Sequence, residues 1–314
     1  MVRRAALLLL VLSLAGCGFF TASLFPGYLA QAEKSYELGS GIDGFLAGLG
    51  GSGYRWYPQV FVLTSNAGVH YGGVLIEIDS LPYKLLLLAD PAGKVQQLSD
   101  PGFGRLQLRA ADNRFVVGKY QFLPDALATD APTGVTGDYP GFANSSNNFL
   151  LWTGGTYSLN YTRYSPSWTT PTTKTISIDT FGSFDLRGVY FDPGAALDRE
   201  VILALLDFSS NRVLVIFTPI ARFVDDAFPI QLTTYPYLQF DNVDVNNVIY
   251  TRKGIVLVDN DGNAALMDFS GRDTGKNLDL GQGGEVRVAF DLEGDTFYVF
   301  NPEDQRLYRG RTGW

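Results

Sequence analysis

The feature that most constrains the fold of this chain is an internal repeat with an offset of 42 residues near its C-terminal end. When Asp259 is aligned with Asn301, apolar residues fall opposite one another along the unit: Val248 opposite Phe290, Ile255 opposite Phe297, and Leu257 opposite Val299. Each unit is predicted to form a strand, a turn, a second strand, a hairpin containing Asp or Asn, and a third strand. One such unit cannot bury both of its faces, so it must pack against further copies of itself.

Two more segments show a β-rich run followed by a hairpin. Phe208–Asn211 follows the run Leu203–Asp207, and Asp90–Gly93 follows the run Leu85–Ala89. A period near 40 residues with three or four strands per unit is typical of a β-propeller blade. We therefore predict an all-β fold, a β-propeller of about six blades within a range of five to seven, of no particular subfamily. The alternative is a large β-sandwich or a β-solenoid.

Closure of the ring is the next expectation. Predicted strands separated by turns continue from Val60 to Arg309, and a closed ring would leave only short, protected edges. We expect the last strand, near Arg306–Arg309, to pair with a strand near Val60–Leu63 and so to seal the ring.

The N-terminal segment has the three parts of a secretory signal. Arg3 and Arg4 precede the apolar run Ala5–Leu12, which is too short to cross a bilayer of roughly 30 Å as a helix. The tetrad that follows, Leu14-Ala15-Gly16-Cys17, closely resembles the lipobox of bacterial lipoprotein precursors.

That resemblance implies a defined maturation at Cys17. A lipid would be attached to the sulfur of Cys17, residues 1–16 would be removed, and the new amino group would receive an acyl chain such as palmitate. Cys17 is the only cysteine, so it cannot form a disulfide within the chain. In such lipoproteins an aspartate after the cysteine retains the protein in the inner membrane, so Gly18 favours the outer membrane.

The segment after the cysteine is predicted to be a tether. Residues 17–53 would form this lipid-anchored tether, and residues 54–314 the propeller-like domain. Glycine-rich sequence is flexible, but Phe45, Leu46 and Leu49 are embedded in it. We expect these apolar residues to pack onto the domain.

The charge balance excludes nucleic acid as a partner. Residues 1–16 contain two arginines and no acids, so the mature chain keeps 32 acidic and 22 basic side chains. A phosphate-binding surface needs clustered Lys and Arg, and here these residues are scattered singly among acids.

Three motifs suggest chemistry but are better explained by structure. Gly48–Gly53 matches the dinucleotide fingerprint letter by letter, yet no strand precedes it and no helix is predicted to follow, so we interpret it as linker. His70 is the only histidine, and no nucleophile elbow is present, so a structural or solvent-exposed histidine is expected. Asp259, Asp261 and Asn263 alternate like calcium ligands, but the distal glutamate is missing, and a hairpin turn is the better interpretation. No cofactor and no metal site is predicted.

Two long polar insertions are the candidate recognition sites. Pro124–Asn147 and Arg163–Thr180 interrupt the predicted strands. The aromatic residues in and around them offer stiff contact surfaces for a protein or a sugar ring; the binding candidates are Tyr139, Trp152, Tyr157, Tyr161, Tyr164 and Trp168. The alternative is that these rings cover the edges of blades.

The leading functional hypothesis is a lipid-anchored envelope protein that binds a protein partner or a surface glycan without catalysis. One alternative is an envelope hydrolase that acts on glycans through carboxylates at the propeller mouth. Another is a structural scaffold subunit of an envelope complex.

Overall fold

The computed structural model describes residues 32–50, 53–64, 70–79, 81, 83–101, 184–192, 194–196, 198–224, 235–280 and 287–314, and between residues 102 and 183 it describes seven strands by their backbone. The described strands form six antiparallel sheets, of which five have four strands and one has three.

The sheets follow one another along the chain. The first contains β2 (Trp56–Thr64), β3 (His70–Ile78), β4 (Tyr83–Ala89) and β5 (Val95–Pro101); the second contains β6 (Leu106–Arg109), β7 (Arg114–Val117) and β8 (Tyr120–Phe122); the third contains β9 (Tyr139–Ala143), β10 (Phe149–Gly155), β11 (Ser158–Tyr164) and β12 (Thr172–Ser177). The fourth contains β13 (Asp185–Phe191), β14 (Val201–Asp207), β15 (Arg212–Thr218) and β16 (Tyr237–Phe240); the fifth contains β17 (Asn247–Thr251), β18 (Gly254–Val258), β19 (Asn263–Met267) and β20 (Asp273–Asp279). The sixth contains β21 (Arg287–Phe290), β22 (Thr296–Asn301), β23 (Arg306–Arg311) and β1 (Lys34–Glu37). Two helices complete the described elements, α1 (Gly39–Gly48) and α2 (Ala221–Val224).

The arrangement of the sheets is that of a β-propeller. Each sheet is an up-and-down meander, and the first strands of neighbouring sheets contact one another: β9 with β13, β13 with β17, β17 with β21, and β21 with β2. The predicted all-β propeller is therefore confirmed, with each sheet as one blade.

The strand that completes the last blade comes from the other end of the chain. β23 pairs with β1, in a register that places Lys34 opposite Arg309 and Glu37 opposite Arg306. The predicted pairing of β23 with the Val60–Leu63 region is therefore wrong, because those residues belong to β2, the first strand of the next blade. The sequence of β1 has one buried residue, Tyr36, among polar neighbours, so no alternating pattern marks it as a strand.

Helix α1 fills the space between the closing blade and the β2–β5 blade. Ile42 is buried with Leu38 in a core cluster that contains residues of β3, β4, β22 and β23. Phe45, Leu46 and Leu49 pack against the same cluster, as expected. The propeller therefore begins at β1 and not at residue 54, and residues 34–48 of the predicted tether belong to it. No helix among the described residues is long and apolar enough to cross a membrane.

The central strands are buried along their whole length because neighbouring blades cover both of their faces. Every residue of β14 is buried, and so is every residue of β18 and β22. Burial of a large aliphatic or aromatic side chain stabilises the fold by roughly 1.5–3 kcal/mol. The continuous apolar runs in the sequence are the signature of this double coverage.

The aligned hairpins have the same place and the same side-chain hydrogen bond in three blades. Asp207, Asp259 and Asn301 each end the second strand of a blade, and each accepts a hydrogen bond from the backbone N–H two residues later. The Asp90 hairpin differs, because it joins the third and fourth strands of its blade. The prediction that it repeats the Asp207 hairpin is therefore wrong, because the Asp90 hairpin lies one strand later in its blade.

The alternation of strand direction gives the propeller two faces. The terminal face carries the connections between the first and second strands and between the third and fourth strands, together with Lys34, at the start of β1, and Trp314. The hairpin face carries the connections between second and third strands, and α1 begins there, since the Leu38 N–H donates to the Gln305 carbonyl oxygen (3.0 Å).

Candidate functional site

A row of aromatic residues crosses the β9–β12 blade. The register places Trp152 of β10 opposite Tyr139 of β9 on one side and opposite Tyr161 of β11 on the other. Tyr164, the last residue of β11, is opposite Phe149 in the same blade. Four of the predicted binding residues thus share one blade, and three occupy neighbouring positions in adjacent strands. We call Tyr139, Trp152 and Tyr161 the aromatic row.

The remaining candidates lie outside the described residues. These are Tyr157, Trp168 and the predicted lipidation site, Cys17. The segments predicted as insertions are only in part connections, because Pro124–Asn147 contains β9 and Arg163–Thr180 contains β12. The threonine-rich sequence of β12 resembles a polar loop, but β-branched threonine also suits the outer strand of a sheet, where one edge meets water.

A second aromatic group lies on the terminal face, between the β13–β16 and β17–β20 blades. Phe269, in the β19–β20 connection, lies 6.0 Å from the ring of Tyr250 and 6.2 Å from that of Phe217, measured between centroids. Tyr190 lies 6.3 Å from Tyr250. Tyr237 begins β16 at the same end of the β13–β16 blade, opposite Ile216 of β15 and therefore on the side of the sheet away from Phe217.

The exposure of these rings differs. Phe269 is 40% exposed and Tyr237 is 50% exposed, whereas Phe217 and Tyr250 are buried beneath Phe269. We call Tyr237 and Phe269 with their buried support the terminal-face cluster. It presents two rings to solvent at one face of the propeller, Phe269 on a base of rings from both blades and Tyr237 at the start of β16, so it is preorganised to meet an apolar or amphipathic surface.

An ionic network beside this cluster links three blades. Asp192, at the end of β13, is 1% exposed and accepts hydrogen bonds from the Arg252 guanidinium, with Nη2 to Oδ1 at 2.7 Å and Nε to Oδ2 at 3.0 Å. The Tyr250 hydroxyl donates to the same carboxylate at 2.9 Å. Arg252 also pairs with Glu293 of the closing blade. Its planar guanidinium can meet both acids at once, and a lysine could not reproduce that geometry.

The electrostatics of the network follow from these contacts. Burial by itself would raise the pKa of the Asp192 carboxyl, but the hydrogen bonds from Arg252, from the Gly194 N–H and from Tyr250 together hold that pKa below its usual value. Burial raises the pKa of the Tyr250 hydroxyl, and the adjacent Asp192 carboxylate raises it further. Asp192 is thus held ionised and Tyr250 protonated, an arrangement suited to joining blades and not to transferring a proton.

His70 has a structural setting, as predicted. Its Nε2 lies 3.3 Å from Asp291 Oδ2, and its carbonyl oxygen accepts a hydrogen bond from the Tyr298 hydroxyl at 3.3 Å. Asp291 is buried and also accepts the N–H groups of Asp295 and Thr296. The pair lies where the closing blade meets the β2–β5 blade.

The two remaining sequence motifs also have structural roles. The Asp259 carboxylate accepts the N–H groups of Asp261 and Asn263 at 2.9 and 2.8 Å, as a hairpin turn requires. Gly48 ends α1, so the glycines follow a helix and do not lead into one. Among the described residues no group of three or more His, Cys, Asp or Glu side chains is placed to hold a metal ion. Two buried acids form ion pairs with arginine side chains: Asp192 with Arg252, and Asp207 with Arg212.

The terminal-face cluster and the Arg252 network are not among the sites predicted from the sequence. Phe269 carries a usable signal, because it stands in an Asp-Phe-Ser-Gly turn where polar residues are the norm. No local sequence signal marks Arg252, because its partner Asp192 is 60 residues away in the chain.

No protein-family model matches this chain, and no curated protein matches it in sequence. Solved structures similar in shape include BamB from Moraxella catarrhalis, with 11% identity, a TM-score of 0.42, and coverage of 79% of this chain and 81% of that chain. The β-propeller domain of Cps50 (Swd1) from Myceliophteria thermophila has 9% identity, a TM-score of 0.47, and coverage of 82% and 98%. The calcium-binding protein regucalcin from Agrobacterium tumefaciens has 12% identity, a TM-score of 0.46, and coverage of 81% and 90%. The assignment of this chain as a β-propeller rests on the arrangement of its own blades.

Proposed function

We propose that this protein is a lipid-anchored binding protein of the bacterial cell envelope, held in the outer membrane through Cys17. Its β9–β12 blade would recognise a protein partner or a surface glycan without catalysing a reaction. The lipobox at residues 14–17 supports the anchor, and the aromatic row supports the recognition site.

The observation that carries the binding role is the register of the aromatic row. Tyr139, Trp152 and Tyr161 are separated in the chain, yet they occupy neighbouring positions on three adjacent strands. Cα atoms that face each other in an antiparallel pair are only about 4.5–5.5 Å apart. Aromatic residues at such backbone spacing would offer a continuous platform, and large rigid rings dominate the binding energy of many interfaces.

The other two hypotheses are supported less well. A glycan hydrolase needs two carboxylates at a set separation with room for substrate and water. Asp192 and Asp207 are instead bonded to arginine side chains. A purely structural subunit would not require an aromatic row.

The test is cross-linking in the native envelope, followed by identification of the species joined to the protein. Trp152→Ala combined with Tyr161→Ala should reduce the amount of captured partner at least about tenfold, since an aromatic anchor of this kind contributes about 2 kcal/mol or more. Phe208→Ala is the matched control, because Phe208 is an aromatic residue on another blade and is 50% exposed. The Phe208→Ala variant should capture as much partner as the wild type does.

Two readouts keep the result interpretable. Circular dichroism and the thermal midpoint verify that each variant is folded, and unchanged capture by the folded double variant would refute the recognition site. In parallel, Cys17→Ala should give an uncleaved precursor that incorporates no labelled palmitate. Lipid incorporation in this variant would refute the anchor.

A further inference from the structure

We propose that the terminal face lies directly against the phospholipid surface, with Tyr237 and Phe269 in the headgroup region. The hairpin face and its acidic residues would then point away from the membrane. This inference rests on the proposed function, because it takes the lipid on Cys17 as the point of attachment.

The first argument is the place where the chain joins the propeller. Ala32 is the first described residue, and Lys34 begins β1 on the terminal face, where its ammonium group contacts the Pro91 carbonyl oxygen of the β4–β5 connection. Fourteen residues lie between Cys17 and Ala32, so the chain that joins them reaches at most about 50 Å. The terminal face can therefore meet the membrane without the chain having to pass around the propeller.

The second argument is the chemistry of the terminal-face cluster. Partly exposed aromatic rings on a rigid base favour the boundary between headgroups and acyl chains, where one side is wet and the other apolar. Tyr237 and Phe269 meet this description, and the Arg199 guanidinium lies over the ring of Phe217 at 6.0 Å, within reach of a phosphate at the same level. The comparably exposed Phe208 on the hairpin face is instead covered by the Arg187 guanidinium at 4.2 Å.

The third argument is the difference in charge between the faces. The terminal face also exposes acids, but Glu33, Glu293 and Asp295 each pair with an arginine or lysine, and Asp198 and Asp273 are each adjacent in the chain to an exposed arginine, which limits their repulsion of an anionic surface. The hairpin face exposes a set of acids: Asp241, Asp244, Asp261, Glu303 and Asp304. A surface rich in anionic lipid repels these acids within a Debye length of about 8 Å at physiological salt. The terminal face is therefore the one that the membrane favours.

The experiment uses the full lipidated protein inserted in vesicles of phosphatidylethanolamine and phosphatidylglycerol. A spin label is placed at Arg272→Cys, in the β19–β20 connection, and in a second sample at Asp261→Cys, in the β18–β19 connection. The two sites are exposed and belong to the same blade, but they lie on opposite faces. Cys17 carries the lipid on its sulfur, so the introduced thiol reacts alone. Vesicle lipids bearing a nickel chelate on their headgroups then broaden the signal of any label that lies at the surface.

The expected result is strong broadening at position 272 and none at position 261. Equal broadening at both positions, or stronger broadening at 261, would overturn the proposal. Tyr237→Ser combined with Phe269→Ser should abolish the broadening at 272 while the protein still floats with the vesicles, and persistence of the broadening would overturn the role of the two rings. Loss of flotation by the parent protein is a separate outcome, which would refute the lipid anchor of the proposed function and with it this inference.

Discussion

The joint between the β13–β16 and β17–β20 blades and the joint that closes the ring are built differently. The first has a continuous apolar core with an ionic cap, in which Arg252 holds Asp192 by several hydrogen bonds. The second has an apolar core enlarged by α1, and its polar contacts are separate ones: His70 Nε2 lies 3.3 Å from Asp291 Oδ2, the Tyr298 hydroxyl donates to the His70 carbonyl oxygen, and the Lys34 ammonium group donates to the Pro91 carbonyl oxygen. The joint between consecutive blades thus carries a buried carboxylate held by several hydrogen bonds, and the joint between the chain ends carries extra apolar contact.

Chain connectivity gives a reason for this difference. The first joint connects blades that are consecutive in sequence, whereas closure brings β1 beside β23, which lies more than 260 residues away. The entropic cost of closing a loop grows only logarithmically, so the longer closure costs about 2 kcal/mol more than a connection of one blade length. The apolar side chains of α1 are sufficient to offset a cost of that size.

The comparison predicts the largest effect at the closing joint. Tyr298 is fully buried, and its ring lies so close to Gly72 of the next blade that a Cβ atom there would collide with it. Tyr298→Ala should lower the free energy of unfolding in urea by about 3–5 kcal/mol. Tyr308→Ala, in the adjacent strand and only half-buried, is the matched control and should cost about 1 kcal/mol. Similar losses for the two variants would show that the closing core is not the source of stability.

A smaller effect is expected at the ionic cap. Arg252→Ala leaves the buried Asp192 carboxylate with the Tyr250 hydroxyl and the Gly194 N–H alone. Because the Arg252 side chain is 37% exposed, the loss should be about 2–3 kcal/mol, below that of a fully buried pair. Lys253→Ala, at the next position and paired with the exposed Asp295, should change the unfolding free energy by at most about 1 kcal/mol. If Arg252→Ala lowered the unfolding free energy no more than Lys253→Ala does, the ionic cap would stabilise this joint no more than an exposed ion pair does.

The smallest effect is a change in acid sensitivity. The pKa of Asp192 is lowered in the folded state, so this residue stabilises the protein above its unfolded pKa of about 3.9, and that contribution is lost as the pH falls through the folded pKa. Asp192→Asn should therefore be less stable than the wild type at pH 6, and the difference should shrink as the pH approaches 3. Urea midpoints across this range measure it, and a difference that stays constant with pH would contradict the assignment.

The repeated elements were accessible to sequence reasoning because their signals are local. The runs Leu203–Asp207 and Ile255–Val258 are strands in the predicted places, and Asp207 and Asp259 close hairpins through hydrogen bonds to residues two positions away. The elements that were missed lack such signals. β1 has one buried residue in four, and β12 is rich in threonine and polar.

Of the candidate site, the sequence identified the residues but not their arrangement. Tyr139, Trp152 and Tyr161 were recognised as aromatic residues near polar segments, and only strand pairing shows that they are neighbours. The terminal-face cluster depended even more on packing, since Phe217 and Phe269 approach each other from different blades.

By itself the sequence determined the class of the fold and the hairpins, because these depend on residues that lie a few positions apart, and the local motif at residues 14–17 predicts the anchor at Cys17. Only the tertiary structure decided that β1 closes the ring, that Arg252 meets Asp192 and that aromatic residues gather on the terminal face. The physical reason is that any strand offers the same backbone hydrogen bonds to a free edge. The choice among partners is made by the shape and burial of the whole ring.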